Sequence, residues 1–342
     1  MRPSALTSET RLAIIERVAH GDTNPGSWIA ETFQVSRRTA SLWLAKLCGE
    51  GQLSASGNTR KSYVLGATLS IGFFTQIENL DEHQLWVDRI EPFLGNVPPN
   101  VRGICHHGFT EMVNNAHDHS EGKRLWVSLD LTEQQVRMVV DDDGVGIFKK
   151  IQGALHLPDP RLSLLELAKG KFTTDPKNHS GEGIFFTSRM FDDFAVYADG
   201  LIFSHQVGTK FDYLFESELA RKGTMVAMEI DRQSQRKSND VFFQFAPPNE
   251  LSFDRTIVPM RMARIGDENL VSRSQAKRVI LRFDRFKYVD LDFTGVTSIG
   301  QAFADEIFRV YARAHPQVAI SCSHATPEIQ QMVVRARTTN VE

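Results

Sequence analysis

The chain has 342 residues, 41% hydrophobic and 24% charged, a formal net charge of -3 and three cysteines. That is ordinary globular composition at a length that predicts two or three domains. The longest apolar runs fall far short of a membrane span, and the opening MRPSALTSETR lacks the basic-then-apolar pattern of a signal peptide, so no membrane association and a cytosolic location are expected. Cys48, Cys105 and Cys322 are dispersed, which excludes a disulfide framework or a zinc knuckle and predicts thiols that are buried or inert.

Residues 1–65 carry eight Lys/Arg and five Asp/Glu, so the positive charge is concentrated at the front. Apolar spacing predicts three helices there, SETRLAIIERVAHG with Ser8 as cap, SWIAETFQ, and SRRTASLWLAKLCGEG with Ser36 as cap. Ala40, Leu42, Trp43, Leu44 and Leu47 are the expected apolar face of the third helix, and Gly57-Asn58 marks a turn between two short strands. This order resembles a winged helix-turn-helix domain over residues 1–65. The resemblance implies DNA as a partner, with Arg37, Arg38, Thr39 and Ser41 at the major groove and Arg60 and Lys61 at phosphates. A small helical packing or dimerisation module is the alternative.

Residues 66–100 read as a helical connector. Leu85, Trp86, Ile90, Phe93 and Leu94 form one stripe, stopped by Gly95 and Pro98-Pro99, that serves either as a homodimer contact or as packing onto the next domain.

If residues 101–119 are helical, His107, Glu111, Asn115 and His119 fall four apart on one face, while Ile104, Phe109, Met112, Val113 and Ala116 supply apolar surface. The histidines and Asp118 lack the spacing of a closed metal site. Two alternating strands follow, KRLWVSLDL and QVRMVVDDDG, then the loop DDGVGI, in which an acid precedes glycines that let the backbone turn beneath a ligand. HSGEGIFFTSRMFD at 179–192 puts a second glycine pair at a helix start, where free N–H groups suit phosphate, and RKGTMVAMEI at 221–230 is a Gly-Thr before a strand.

These four motifs in this order resemble the ATP-binding fold shared by gyrase, Hsp90, sensor histidine kinases and MutL, the GHKL family, over residues 101–230. The resemblance implies an α/β sandwich holding ATP and Mg2+ between helices and a mobile lid at 147–180. It assigns Glu111 to orienting or deprotonating the attacking group, Asn115 to magnesium, and Asp142 to the adenine amino group. Gly144 and Gly146 complete that loop, Gly181 and Gly183 form the second glycine box, and Thr224 backs Asp142. Lys169, Lys171 and Lys177 are candidate phosphate contacts in the lid.

The polar run DRQSQRKSND at 231–240 predicts a linker, after which 241–342 reads strand, strand, helix, strand, helix, with Val279, Leu281 and Phe283 alternating in the first strand. VDLDFTGVTSIGQAFADEIF resembles the STAS domain of anti-sigma-factor antagonists, which implies a protein partner. Ala302 stands where that family places its phosphorylatable serine, with Thr297 and Ser298 nearby. The expected fold class is therefore α+β and multidomain: winged helix, GHKL α/β sandwich and STAS-like α/β domain. Three functions follow from it: an ATP-binding and ATP-hydrolysing regulator that couples nucleotide state to DNA binding or partner binding, a serine/threonine or histidine protein kinase of the anti-sigma-factor type acting on a partner in trans, or an ATPase clamp without a DNA-binding role. Whether the chain is an ATPase or a kinase stays open at this level.

Overall fold

A computed structural model of the chain describes residues 5–58, 61–173, 181–208, 212–216, 221–246, 252–265 and 268–338. In chain order the elements begin with α1 (Ser8–Ala19), α2 (Gly26–Thr32), α3 (Arg37–Gly49), β1 (Leu53–Ser56), β2 (Ser62–Leu65), β3 (Leu69–Gln76) and α4 (Glu82–Arg89). Next come α5 (Pro99–His119), β4 (Arg124–Leu131), β5 (Gln135–Asp142), α6 (Ile147–Leu155), α7 (Leu162–Lys169) and α8 (Gly183–Met190). They are followed by β6 (Asp193–Ala198), β7 (Leu201–Gln206), β8 (Asp212–Glu216), β9 (Met225–Asp231), α9 (Ser238–Phe245), β10 (Arg255–Pro259) and α10 (Arg273–Ile280). The last are β11 (Tyr288–Asp292), α11 (Gln301–Asp305), α12 (Ala312–Ala314), β12 (Ala319–Ser323) and α13 (Pro327–Thr338). Two compact units result, Met1–Gly144 with Met225–Arg236, and Val145–Thr224 with Lys237–Glu342.

In the first unit, Ile14, Ile15 and Val18 of α1, Ile29 of α2 and Ala40, Trp43, Leu44 and Leu47 of α3 are buried. Leu42, expected on that apolar face, is 58% exposed, because it lies outside the 40/43/44/47 stripe of a 3.6-residue helix. Thr7 rather than Ser8 caps α1, its hydroxyl accepting from Thr10 N at 3.1 Å. Ser36 caps α3 as expected, accepting from Thr39 N at 3.1 Å. β1 and β2 form an antiparallel hairpin, with Gly57 at φ +88° in the intervening turn. Three helices and a hairpin therefore stand where the sequence pattern puts them.

The stretch expected to be a helical connector also holds a strand. Leu69, Ile71 and Phe73 alternate inward with period two, and β3 pairs antiparallel with β4 along its whole length. The stripe from Leu85 to Leu94 is buried, and Trp86 packs against Phe109 of α5 with ring centroids 5.6 Å apart, so here the stripe serves packing within the unit. Arg89 ties this region to α1 through Glu16 at 2.9 Å.

β3, β4, β5 and β9 are antiparallel neighbours in that order. One face carries Leu125, Val127, Leu129, Val136, Met138, Val140, Val226, Met228 and Ile230, all buried. α5 covers the β5 and β9 part of this sheet and buries Val101, Ile104, Cys105, Phe109, Met112, Val113 and Ala116.

In the second unit, β6, β7 and β8 form an antiparallel meander. β10, β11 and β12 are parallel neighbours, with Val289, Leu291, Phe303, Ala304 and Ile307 buried around them. Two expectations for this region are corrected. Val279, Leu281 and Phe283, read as an alternating strand, instead span the end of helix α10, which is started by a reciprocal capping box between Ser272 and Gln275, and the helical turn after it. The first strand is instead β10, whose RTIVP buries Thr256 and Val258.

Among the described residues no helix is long and apolar enough to cross a membrane. Burial pushes the Cys105 thiol up to about 12 and the Cys322 thiol to about 11, and raises Cys48, so all three are poor thiolates near neutral pH.

Candidate functional site

His107, Glu111, Asn115 and His119 share one face of α5, as their spacing predicts, and all four are half-buried. A merely solvated face would be exposed throughout. The Asn115 amide nitrogen is buried and finds no hydrogen-bond partner among the described residues, an arrangement that normally costs about 1–3 kcal/mol. Among the described residues no group of three or more His, Cys, Asp or Glu is placed to hold a metal ion by itself.

Burial, and then the neighbouring His106, pushes His107 below the usual imidazole value, and burial followed by His83 does the same to His106. The folded state thus binds these protons more weakly than the unfolded chain. Stability should be full above the ordinary histidine value of 6.5 and fall as the pH drops through and below it. Denaturant melts at pH 7.5 and 5.5 check this, with His107→Gln expected to reduce the difference.

Asp142 owes its position to strand alternation. Val136, Met138 and Val140 point to the helix-covered face, and the next inward position, at the end of β5, is Asp142, only 6% exposed. Its Oδ1 accepts from Gly144 N at 2.9 Å, turning the chain sharply after the strand. A Cβ on Gly144 would lie 2.0 Å from the Ser120 carbonyl oxygen, so only glycine allows the loop to lie against the end of α5. Asp143 secures the same contact by accepting from Lys123 N at 2.7 Å and Arg124 N at 2.9 Å, and these backbone bonds hold its carboxyl below the usual range. The first unit therefore brings Glu111, Asn115, Asp142 and Gly144 to one helix and the adjoining strand end.

The other residues of the expected nucleotide site lie in the second unit. Gly146 is the N-cap of α6 and has no side chain with which to cap it. Thr224 Oγ1 accepts from Ile147 N at 3.0 Å and Asp199 Oδ2 from Lys149 N at 2.9 Å, so residues distant in sequence cap this helix. Asp199 was not singled out from the sequence, although its Asp199-Gly200 pair is a hairpin signal between β6 and β7. Gly181 has φ +71°, and a Cβ there would lie 2.4 Å from the Phe172 carbonyl, while Gly183 opens α8. The candidate phosphate lysines fare differently from expectation. Lys169 is fully buried and bonded to Glu166 and the Leu281 carbonyl, and Lys171 is bonded to Asp254 at 3.1 Å; Lys177 lies outside the described residues.

At the front of the chain, Arg37, Arg38 and Ser41 of α3 and Lys61 of the hairpin are exposed. Thr39 is half-buried, its hydroxyl 2.9 Å from Ser36 Oγ, so it serves the cap. Arg60 lies outside the described residues. In the last part of the chain, Ala302 is exposed at the start of α11.

Comparison with known families finds two matches. Residues 101–232 match the family of histidine kinase-, DNA gyrase B- and HSP90-like ATPases, from the first turn of α5 to one residue past β9. Residues 275–330 match a STAS-like domain of unknown function. No curated protein matches the chain. A GHKL-type ATPase domain and a C-terminal STAS-like domain are thus found; neither match extends to the helices and hairpin of residues 1–65.

Proposed function

We propose, with a GHKL-type ATPase domain at 101–232 as the premise, that this chain is an ATP-binding regulatory protein whose nucleotide state governs its binding to DNA or to a protein partner. The observation that carries the reading is Asp142, an acid held nearly buried at an otherwise apolar strand position inside the matched segment. A carboxylate in such a place needs hydrogen-bond donors, and with two oxygens it can accept from a ligand amino group as well as from Gly144 N.

ATP with Mg2+ fits the residues present. Asn115 offers a carboxamide on the half-buried face of α5, with a buried nitrogen that finds no partner among the described residues. Its oxygen would serve Mg2+, which takes oxygen ligands and fills the rest of its octahedron with phosphates and water. Asp142 would accept from the adenine amino group, and the backbone at Gly144, Gly146, Gly181 and Gly183 would approach the nucleotide without side-chain interference. The bound nucleotide supplies a transferable phosphoryl group. Glu111 would orient the attacking group or take its proton, and Thr224, by holding the start of α6, would keep the first glycine loop in place.

DNA binding is assigned to α3 and the hairpin on the exposure of Arg37, Arg38, Ser41 and Lys61 and the positive charge of residues 1–65. Replacing Arg37 and Arg38 by Ala should lower duplex affinity, whereas replacing Lys61 by Ala should reduce the slope of log affinity against log salt by about 1. Fluorescence anisotropy over a salt series checks both; an unchanged affinity in the arginine variant removes α3 from the interface. Adding MgATP to the same titrations tests the coupling, which requires nucleotide to distinguish two states of the protein.

A second reading, a protein kinase acting in trans, draws on the STAS-like domain in the same chain. Ala302 has no hydroxyl, so the acceptor would be a partner protein. Transfer of γ-label to an added STAS-domain protein would favour this reading over free-phosphate release.

A further inference from the structure

The segment between the two glycine motifs contains α7, LSLLELAK, which is apolar on nearly every side. Such a helix has to be enclosed, and every residue from Leu162 to Lys169 is buried. Two of them are ionisable, Glu166 at 1% exposure and Lys169 at 0%. Buried charges need partners, and the closing partner comes from the C-terminal part of the same unit. Arg282 Nη1 lies 2.9 Å from Glu166 Oε2, and its Nη2 donates to the Gly170 carbonyl just past the end of α7. Lys169 Nζ sits 2.5 Å from Glu166 Oε1 and 3.0 Å from the Leu281 carbonyl, and Thr256 Oγ1 of β10 donates to the Lys169 carbonyl at 2.7 Å. Arg282 thus satisfies a helix-end carbonyl and a buried carboxylate with one planar fork.

The contact continues toward the second glycine motif. The Arg282 guanidinium stands 5.3 Å from the Phe172 ring, and Phe172 N donates to the Gly181 carbonyl at 3.2 Å. Lys171, between Gly170 and Phe172, is held by Asp254 at 3.1 Å and by the Arg285 carbonyl at 3.1 Å. Asp254 also accepts from Ser252 at 2.8 Å and pairs with Lys287 at 3.0 Å. An unbroken set of bonds therefore runs from the C-terminal part of the unit to the glycine that precedes α8.

We infer that Arg282 is a positioning residue for the nucleotide: through Glu166 and Gly170, the C-terminal part holds α7 and the Gly181–Gly183 loop in register for ATP. The inference rests on the ATP-site reading given above. Its consequence is reciprocal. Any partner that shifts Arg282 alters nucleotide affinity, and bound nucleotide alters that partner's affinity by the same factor.

The test uses the full chain and a fluorescent ATP analogue with Mg2+, comparing wild type, Asp142→Asn, Arg282→Lys and Asp254→Asn, at a temperature where circular dichroism shows each folded. Lysine keeps the charge at 282 but cannot reach both Glu166 and Gly170. Expected are a loss of affinity of about tenfold in Arg282→Lys and about fivefold in Asp254→Asn, magnitudes at the lower end of the usual range of coupling between sites. Folded variants that bind as wild type does would overturn the inference and leave α7 as packing alone. Should Arg282→Lys fail to fold, Asp254→Asn decides by the same criterion. If wild type does not bind, or Asp142→Asn binds equally well, the ATP-site reading fails and this inference with it.

Discussion

Asp142→Asn is expected to weaken ATP binding by about 10- to 150-fold while leaving the chain folded. The loss corresponds to a hydrogen bond to a charged group, worth about 1.5–3 kcal/mol. Asparagine is the sharp probe because its oxygen can still accept from Gly144 N, the bond that shapes the loop after β5. What it loses is the charge and the freedom to accept through both atoms. Titration calorimetry with MgATP measures the change, and thermal melting of the same samples reports the fold. An affinity equal to that of wild type would remove Asp142 from adenine recognition.

Glu111→Gln should separate binding from chemistry. Glutamine retains the size of the side chain on the half-buried face of α5 but takes no proton. Turnover is expected to fall by about 10²- to 10⁴-fold, the usual contribution of a positioned general base, with ATP affinity held within about threefold. Following γ-label distinguishes the reactions: free phosphate lost in the variant marks hydrolysis, and label on protein lost in the variant marks phosphoryl transfer. Turnover that persists at the wild-type rate would refute the role given to Glu111.

Much of the first unit is legible locally. Four residues spaced by four on α5 become one half-buried face, and period-two alternation along β5 carries Asp142 inward. Ser36 caps α3 where the sequence places it. The misreadings have physical causes. β3 lay hidden in a stretch whose strongest signal is the helical stripe from Leu85 to Leu94, yet its partner β4 is some fifty residues downstream and leaves no local trace. Val279, Leu281 and Phe283 alternate by chance across the end of α10 and the turn after it, while the capping box of Ser272 and Gln275 is the better indicator of a helix.

The lid lysines show the same limit in the site. Lys169 reads as a candidate phosphate contact because lysine usually keeps its charge at the surface, yet its partner Glu166 is only three residues away. What buries the pair is Arg282, over a hundred residues later, which no periodicity connects to α7. Capping of α6 by Thr224 and Asp199 is likewise a contact between segments distant in sequence. Local chemistry is readable from order and spacing; enclosure by remote segments is not.

The most direct test of an ATP-binding role is equilibrium binding of γ-labelled MgATP to the wild-type chain, competed by unlabelled ATP and GTP. Saturable binding at one site per chain is expected, displaced by ATP and much less readily by GTP, whose base presents a carbonyl where adenine presents the amino group that Asp142 would accept. No saturable binding, or equal displacement by both nucleotides, would contradict it.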